Sequence, residues 1–96
     1  VTAADIYDVL AAHYDGAAFV RMGSARAGDP ETASLYLDAA ALVGQNHMEL
    51  FVFANADNSQ FWLTARLDNL GKGASGAAVQ NMNIALGLAP TTGLVA

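Results

Sequence analysis

The sequence predicts an α+β fold, an antiparallel or mixed β-sheet with helices packed on one face, formed as a single domain or fragment over residues 1–96. Three observations support this. Two runs rich in large apolar residues, 46–54 and 60–68, flank the turn formers Asn55-Ala56-Asp57-Asn58-Ser59. The chain opens on an amphipathic helix signal. It closes on a second helix, announced by glycines and stopped by Gly87 and Pro90.

Taken in order, Thr2 followed by Asp5 gives a capping-box start, and Ile6, Val9, Leu10 and His13 fall on one helix face, so the first helix is expected to end near Tyr14. Asp15-Gly16 stops it. Phe19-Val20-Arg21-Met22 has the aromatic and β-branched content of a short strand, and residues 23–30 read as a loop. Residues 31–44 fit neither period and are expected to be mostly irregular. The runs 46–54 and 60–68 should pair as an antiparallel hairpin. Met48, Leu50 and Val52 then face one side and Glu49, Phe51 and Phe53 the other, while Phe61, Leu63, Ala65 and Leu67 oppose Trp62, Thr64 and Arg66. Neither face is polar throughout, so the sheet should be covered twice, by helices on one side and by an identical sheet of a second subunit on the other. The last helix is expected over 74–86, with Gly87 as a left-handed cap and Pro90 preventing continuation. Only Gln80 and Asn83 form a polar strip on it, so most of its surface should be buried, with the amides of Gln80 and Asn81 satisfying neighbouring backbone groups.

Composition narrows the function. A 96-residue chain buries only about 60–65% of its surface on folding. With 54% hydrophobic residues, 14% charged residues and a mean hydropathy of +0.31, this one is more apolar than a small monomer needs to be. Part of that excess should be interface. A net charge of −5 with four Lys and Arg residues excludes a nucleic-acid partner. No apolar run has the length to span a bilayer and no signal segment opens the chain, so a soluble, cytoplasmic protein without a membrane partner is expected. The start at Val1, which leads straight into a helix, reads as the distal half of a longer polypeptide.

Asp68-Asn69-Leu70-Gly71-Lys72-Gly73-Ala74-Ser75-Gly76 is the segment with the most chemical information. Three glycines within six residues allow close backbone approach, and Lys72, the only lysine, stands beside the N–H groups of a helix start, which makes this turn a candidate anion or nucleotide site. A solvated lysine is an equally good account of Lys72. His13, on the apolar helix face, reads as a packed or partly exposed histidine. His47 and Glu49 share a strand face, but two ligands do not make a metal site, and no metal is expected. Arg21 and Arg66 should pair with carboxylates, with a place at the substrate end of the sheet as the second reading.

The string continues through Ala77-Ala78-Val79-Gln80-Asn81-Met82-Asn83 to Gly87-Leu88 and Thr91-Thr92-Gly93-Leu94. Together with Asp29-Pro30-Glu31-Thr32 and Leu42-Val43-Gly44-Gln45-Asn46, it resembles the carboxy-terminal signature of N-acetyl-γ-glutamyl-phosphate reductase over about two thirds of the chain. The resemblance implies the C-terminal part of the semialdehyde dehydrogenase and glyceraldehyde-phosphate dehydrogenase-like fold. It also implies a homo-oligomer formed through the sheet, and an NADP-dependent, aldehyde-forming reduction of an acyl phosphate in arginine biosynthesis. Such enzymes act through a cysteine thiolate. This chain has no cysteine, so no catalytic residue is assigned to it, and the thiol and dinucleotide-binding domain are expected in the remainder of the parent reductase. By resemblance, Asn69, Gly73, Ala74 and Gly76 are the cofactor-binding positions. Two other readings stay open: the related N-acetyl-aminoadipyl-phosphate reductase of lysine synthesis, and a noncatalytic dimerisation or ligand-binding module.

Overall fold

The structure, a computed structural model, describes residues 1–23 and 37–95. The loop expected over 24–30, the first part of the 31–44 segment and the Asp29-Pro30-Glu31-Thr32 motif lie outside the described residues. The elements are α1 (Ala3–His13), β1 (Val20–Met22), β2 (Met48–Ala54), β3 (Phe61–Arg66), a π-helical turn (Gly71–Ser75) and α2 (Gly76–Ala85). This is α+β, as the sequence predicts.

Thr2 begins α1 with a complete capping box: its hydroxyl accepts from the Asp5 N–H at 3.1 Å and its own N–H donates to the Asp5 carboxylate at 2.8 Å. Gly16, at φ +76°, lets the chain reverse after Tyr14. The sheet runs β1-β2-β3 and is mixed. β1 lies parallel to β2 with Val20 beside Met48, and β2 pairs antiparallel with β3, Glu49 opposite Arg66 and Ala54 opposite Phe61. The hairpin expected over 46–68 therefore forms, with shorter strands. Its turn is organised by Asn55, whose side-chain oxygen accepts the N–H groups of Ser59 and Gln60, both at 3.0 Å. Asn58, at φ +56°, reaches back to accept the Ala3 N–H at 3.0 Å, tying the start of α1 to the hairpin tip.

The core follows the central strand. Val52 is 1% exposed although its cross-strand partner Leu63 is 61% exposed, which matches a helix that contacts β1 and β2 but leaves β3 open. On the opposite side of β2, Phe51 is buried, stacks on Phe53 at 6.3 Å and fills the space that a side chain at Gly23 would need. The apolar stripe of α1 is narrower than its sequence suggests: Ile6 and Leu10 are half-buried, whereas Val9 and His13 are exposed. His13 meets only the edge of Tyr14, at 4.7 Å.

The last helix departs further from expectation. Only Gly76 and Asn83 of α2 are buried; Met82, Ile84 and Leu86 are exposed, and the main neighbour of α2 is the π-helical turn, not the strands. The turn leading into α2 docks on the 44–46 segment instead of a sheet face. The end of α2 is nevertheless as foreseen. Gly87, at φ +73°, donates its N–H to Ile84 O at 3.1 Å and Leu88 donates to Asn83 O at 2.8 Å, the paired bonds of a Schellman cap.

Val52→Ala should lower the unfolding free energy by about 1.5–3 kcal/mol, the value of burying a valine side chain. Val9→Ala, the same deletion on the exposed face of α1, should be neutral or slightly stabilising because alanine is the better helix former. Urea denaturation of the two variants at one protein concentration checks the pair, and equal effects would contradict the placement of the core.

Candidate functional site

The glycine-rich segment is a π-helical turn, a geometry found mostly as single turns and often at functional sites. Gly73 donates its N–H to Asp68 O at 3.0 Å, Ser75 donates to Leu70 O at 3.1 Å, and Gly76 donates to Gly71 O. These amides are engaged inside the turn, which corrects the expectation of exposed N–H groups at a helix start. The Ser75 hydroxyl donates to the same Leu70 carbonyl at 2.7 Å.

The glycines serve contact of the chain with itself. A Cβ at Gly71 would lie 2.6 Å from Gln45 O, one at Gly73 would lie 3.0 Å from Leu67 Cδ1, and one at Gly76 would collide with the Asn46 side-chain oxygen. Of the four cofactor positions carried over by resemblance, Asn69, Gly73 and Ala74 are exposed on this single turn. Gly76 is buried against Asn46 and seats the turn. Lys72 is half-buried and donates from Nζ to Gln80 Oε1 at 3.1 Å, so Gln80 partners a side chain and not, as expected, backbone. Asn83 makes the backbone contacts instead. At 2% exposure, it donates from Nδ2 to Pro90 O at 3.1 Å and Thr92 O at 2.8 Å, folding the segment after α2 back onto the helix. The polar strip in the sequence includes Asn83, but its partners lie seven and nine residues away in irregular chain and leave no periodic signal.

A second polar group lies at the other end of the Phe51 face. Arg66 pairs with Glu49 at 3.1 Å, donates to Asp38 O at 3.4 Å and lies over the Phe51 ring at 5.0 Å. The expected carboxylate pairing of Arg66 is thus present. Arg21 is exposed and stands beside Glu49 in the sheet register. Among the described residues no cluster of three or more His, Cys, Asp or Glu side chains could hold a metal ion. A groove of about 870 Å³ lined by Phe53, Phe61, Trp62, Thr64 and their neighbours lies at the hairpin. Trp62 is 72% exposed on it.

His47 precedes β2 and is 7% exposed, with a buried Nδ1 that has no partner among the described residues. Burial, and then the nearby Arg21 charge, lower its pKa from the ordinary 6.5, with Glu49 opposing. The folded chain therefore holds fewer protons than the unfolded chain just below pH 6.5, so the stability contributed by neutral His47 is present above 6.5 and lost as pH falls through the lowered folded value. The melting temperature should fall between about pH 7.5 and about pH 5.5, and His47→Gln, neutral throughout, should flatten that limb. An equal slope in both proteins would remove His47 as the cause.

No family model matches the chain. Among curated proteins it is 48% identical over 90 residues to N-acetyl-gamma-glutamyl-phosphate reductase of Trichormus variabilis, a match covering 94% of this chain and 28% of that protein. It is 46% identical, with the same coverage, to N-acetyl-gamma-glutamyl-phosphate reductase 2 of a Nostoc species. The Brucella ovis enzyme of the same name is 49% identical over 85 residues, 88% of this chain and 26% of that protein. The chain is homologous, over nearly its whole length, to a part spanning about 28% of the N-acetyl-gamma-glutamyl-phosphate reductases.

Proposed function

We propose that this chain is the C-terminal, dimer-forming part of an NADP-dependent N-acetyl-γ-glutamyl-phosphate reductase, a cytoplasmic enzyme that converts the acyl phosphate to N-acetylglutamate semialdehyde in arginine biosynthesis. The observation that carries the reading is the 46–49% identity to reductases of that name along 88–94% of the chain. Those names favour the glutamyl substrate over its aminoadipyl homologue. The fold of the parent domain is taken to be that of the semialdehyde dehydrogenases, with its edge supplied in part by β1 to β3.

In this reading the chain performs no bond-making step. It contains no cysteine, and covalent reduction of an acyl phosphate to an aldehyde needs a thiolate, which the remainder of the parent reductase must provide. The chain contributes position. Asn69 displays a side-chain amide, both donor and acceptor, suited to the nicotinamide end of NADP, Gly73 and Ala74 let a ligand approach the exposed turn closely, and Gly76 holds the turn in place from beneath. NADPH, when bound, supplies the hydride. Phe53 and the exposed Trp62, cross-strand neighbours on one face of the hairpin, form an apolar surface where a second copy of the sheet would exclude water.

The 96-residue chain should therefore show no NADPH-dependent turnover of N-acetyl-γ-glutamyl phosphate, whereas the full-length protein that contains it should oxidise NADPH with that substrate. Turnover by the isolated chain, or none by the full-length protein, defeats the assignment. Sedimentation equilibrium at roughly tens of micromolar, a range in which an ordinary specific dimer is populated, should give twice the chain mass. Trp62→Glu should return it to a monomer; a wild-type monomer there would rule out the hairpin as the subunit contact.

A further inference from the structure

We propose that Asp68 is the positioning residue of the turn that meets the cofactor, an inference that rests on the nicotinamide-side reading of Asn69, Gly73 and Ala74. Three oxygens of this one residue each accept an N–H from a different piece of chain. Its Oδ2 takes Gly44 at 3.0 Å, its Oδ1 takes Leu70 at 3.1 Å, and its carbonyl takes Gly73 at 3.0 Å. Gly44 belongs to the segment before β2, Leu70 precedes the π-helical turn and Gly73 lies within it.

Asp68 therefore joins the segment leading into the sheet to the beginning and the middle of the turn. The same two segments interlock a second time, because Gly71 and Gly76 leave no room for a Cβ against Gln45 O and the Asn46 side chain. The carboxylate supplies the polar half of this clasp and the glycines supply the steric half. Asn69 follows Asp68 directly, so the two bonds made by the carboxylate fix the backbone on both sides of the exposed amide. Loosening them lets the turn shift relative to the sheet, and small misplacements of binding groups carry large kinetic consequences. The effect of Asp68 passes through Asn69 and Gly73.

The test uses the full-length reductase with Asp68→Ala and Asp68→Asn. The asparagine is isosteric, but its amide nitrogen cannot accept an N–H, so one of the two side-chain bonds is lost and the other kept. Asp68→Ala should raise the NADPH Kd, read by fluorescence titration, and the KM for NADPH by about tenfold, with Asp68→Asn between it and wild type. The KM for the acyl phosphate should be unchanged. A purely structural role would reduce the active fraction, and so kcat, with KM for NADPH unmoved. Unchanged NADPH affinity in a wild-type-like, folded Asp68→Asn protein overturns the inference even if Asp68→Ala fails to fold. Wild-type protein that does not bind NADPH would remove the cofactor reading, and the role of Asp68 with it. Wild-type binding with unaltered variants would remove only the role of Asp68.

Discussion

β2 is the strand on which the rest of the chain depends, since it alone is hydrogen-bonded along both edges among the described residues. A central strand has its backbone groups satisfied by its neighbours, which permits burial of Phe51 on one face and Val52 on the other. The other strands and α1 are fixed by reference to it. β1 and β3 pair with it, α1 lies along it and β1, and Arg66 on β3 crosses to Glu49 on it. Polar and apolar contacts thereby converge on seven residues, Met48–Ala54.

Beyond that strand the described residues leave apolar surface uncovered. Phe61, Trp62 and Leu63 on β3, Met82 and Ile84 on α2 and its cap residue Leu86 are all exposed. Isolated exposed apolar residues are ordinary, but these occur in adjacent groups on regular elements. The chain spans about 28% of the length of its relatives, and in the proposed reading these surfaces meet other parts of the parent reductase or another subunit. The aromatic surface at the hairpin and the aliphatic surface on α2 lie on different elements. Two separate coverings suit them better than one.

Local signals were legible wherever the controlling interaction is local. The capping box at Thr2, the stop at Gly16, the Asn55 turn between β2 and β3 and the cap at Gly87 all form within a few residues, and each appears in the structure at its place in the sequence. The parallel pairing of β1 with β2 was not readable, because no turn residue encodes a partner 28 positions away, Val20 to Met48. The burial of α2 was misread for a related reason. An apolar circumference states that a helix needs cover, but not that the cover lies in the same stretch of chain. At the turn, Asn69, Gly73 and Ala74 are exposed and Gly76 is buried, and Asp68 looks in the sequence like an ordinary turn residue, since its partner Gly44 lies 24 residues upstream.

The π-helical geometry explains why this turn needs both glycine and an acidic neighbour. A π turn places each N–H five residues from its acceptor, so Gly73 reaches Asp68 O and Ser75 reaches Leu70 O, and the wider ring brings the backbone against whatever lies beneath it. Here that is Gln45 and Asn46, and side chains at 71 and 76 would hold the surfaces apart. Close packing alone does not orient the turn, because apolar contact is non-directional. The Asp68 carboxylate provides direction, since its two oxygens accept from Gly44 and Leu70 only when the segments stand in one register. A glycine-rich turn beside a helix is commonly read as a place where ligand approaches backbone. In this chain the first approach is backbone to backbone, and what is left exposed, Asn69, Gly73 and Ala74, is held in position by that prior contact.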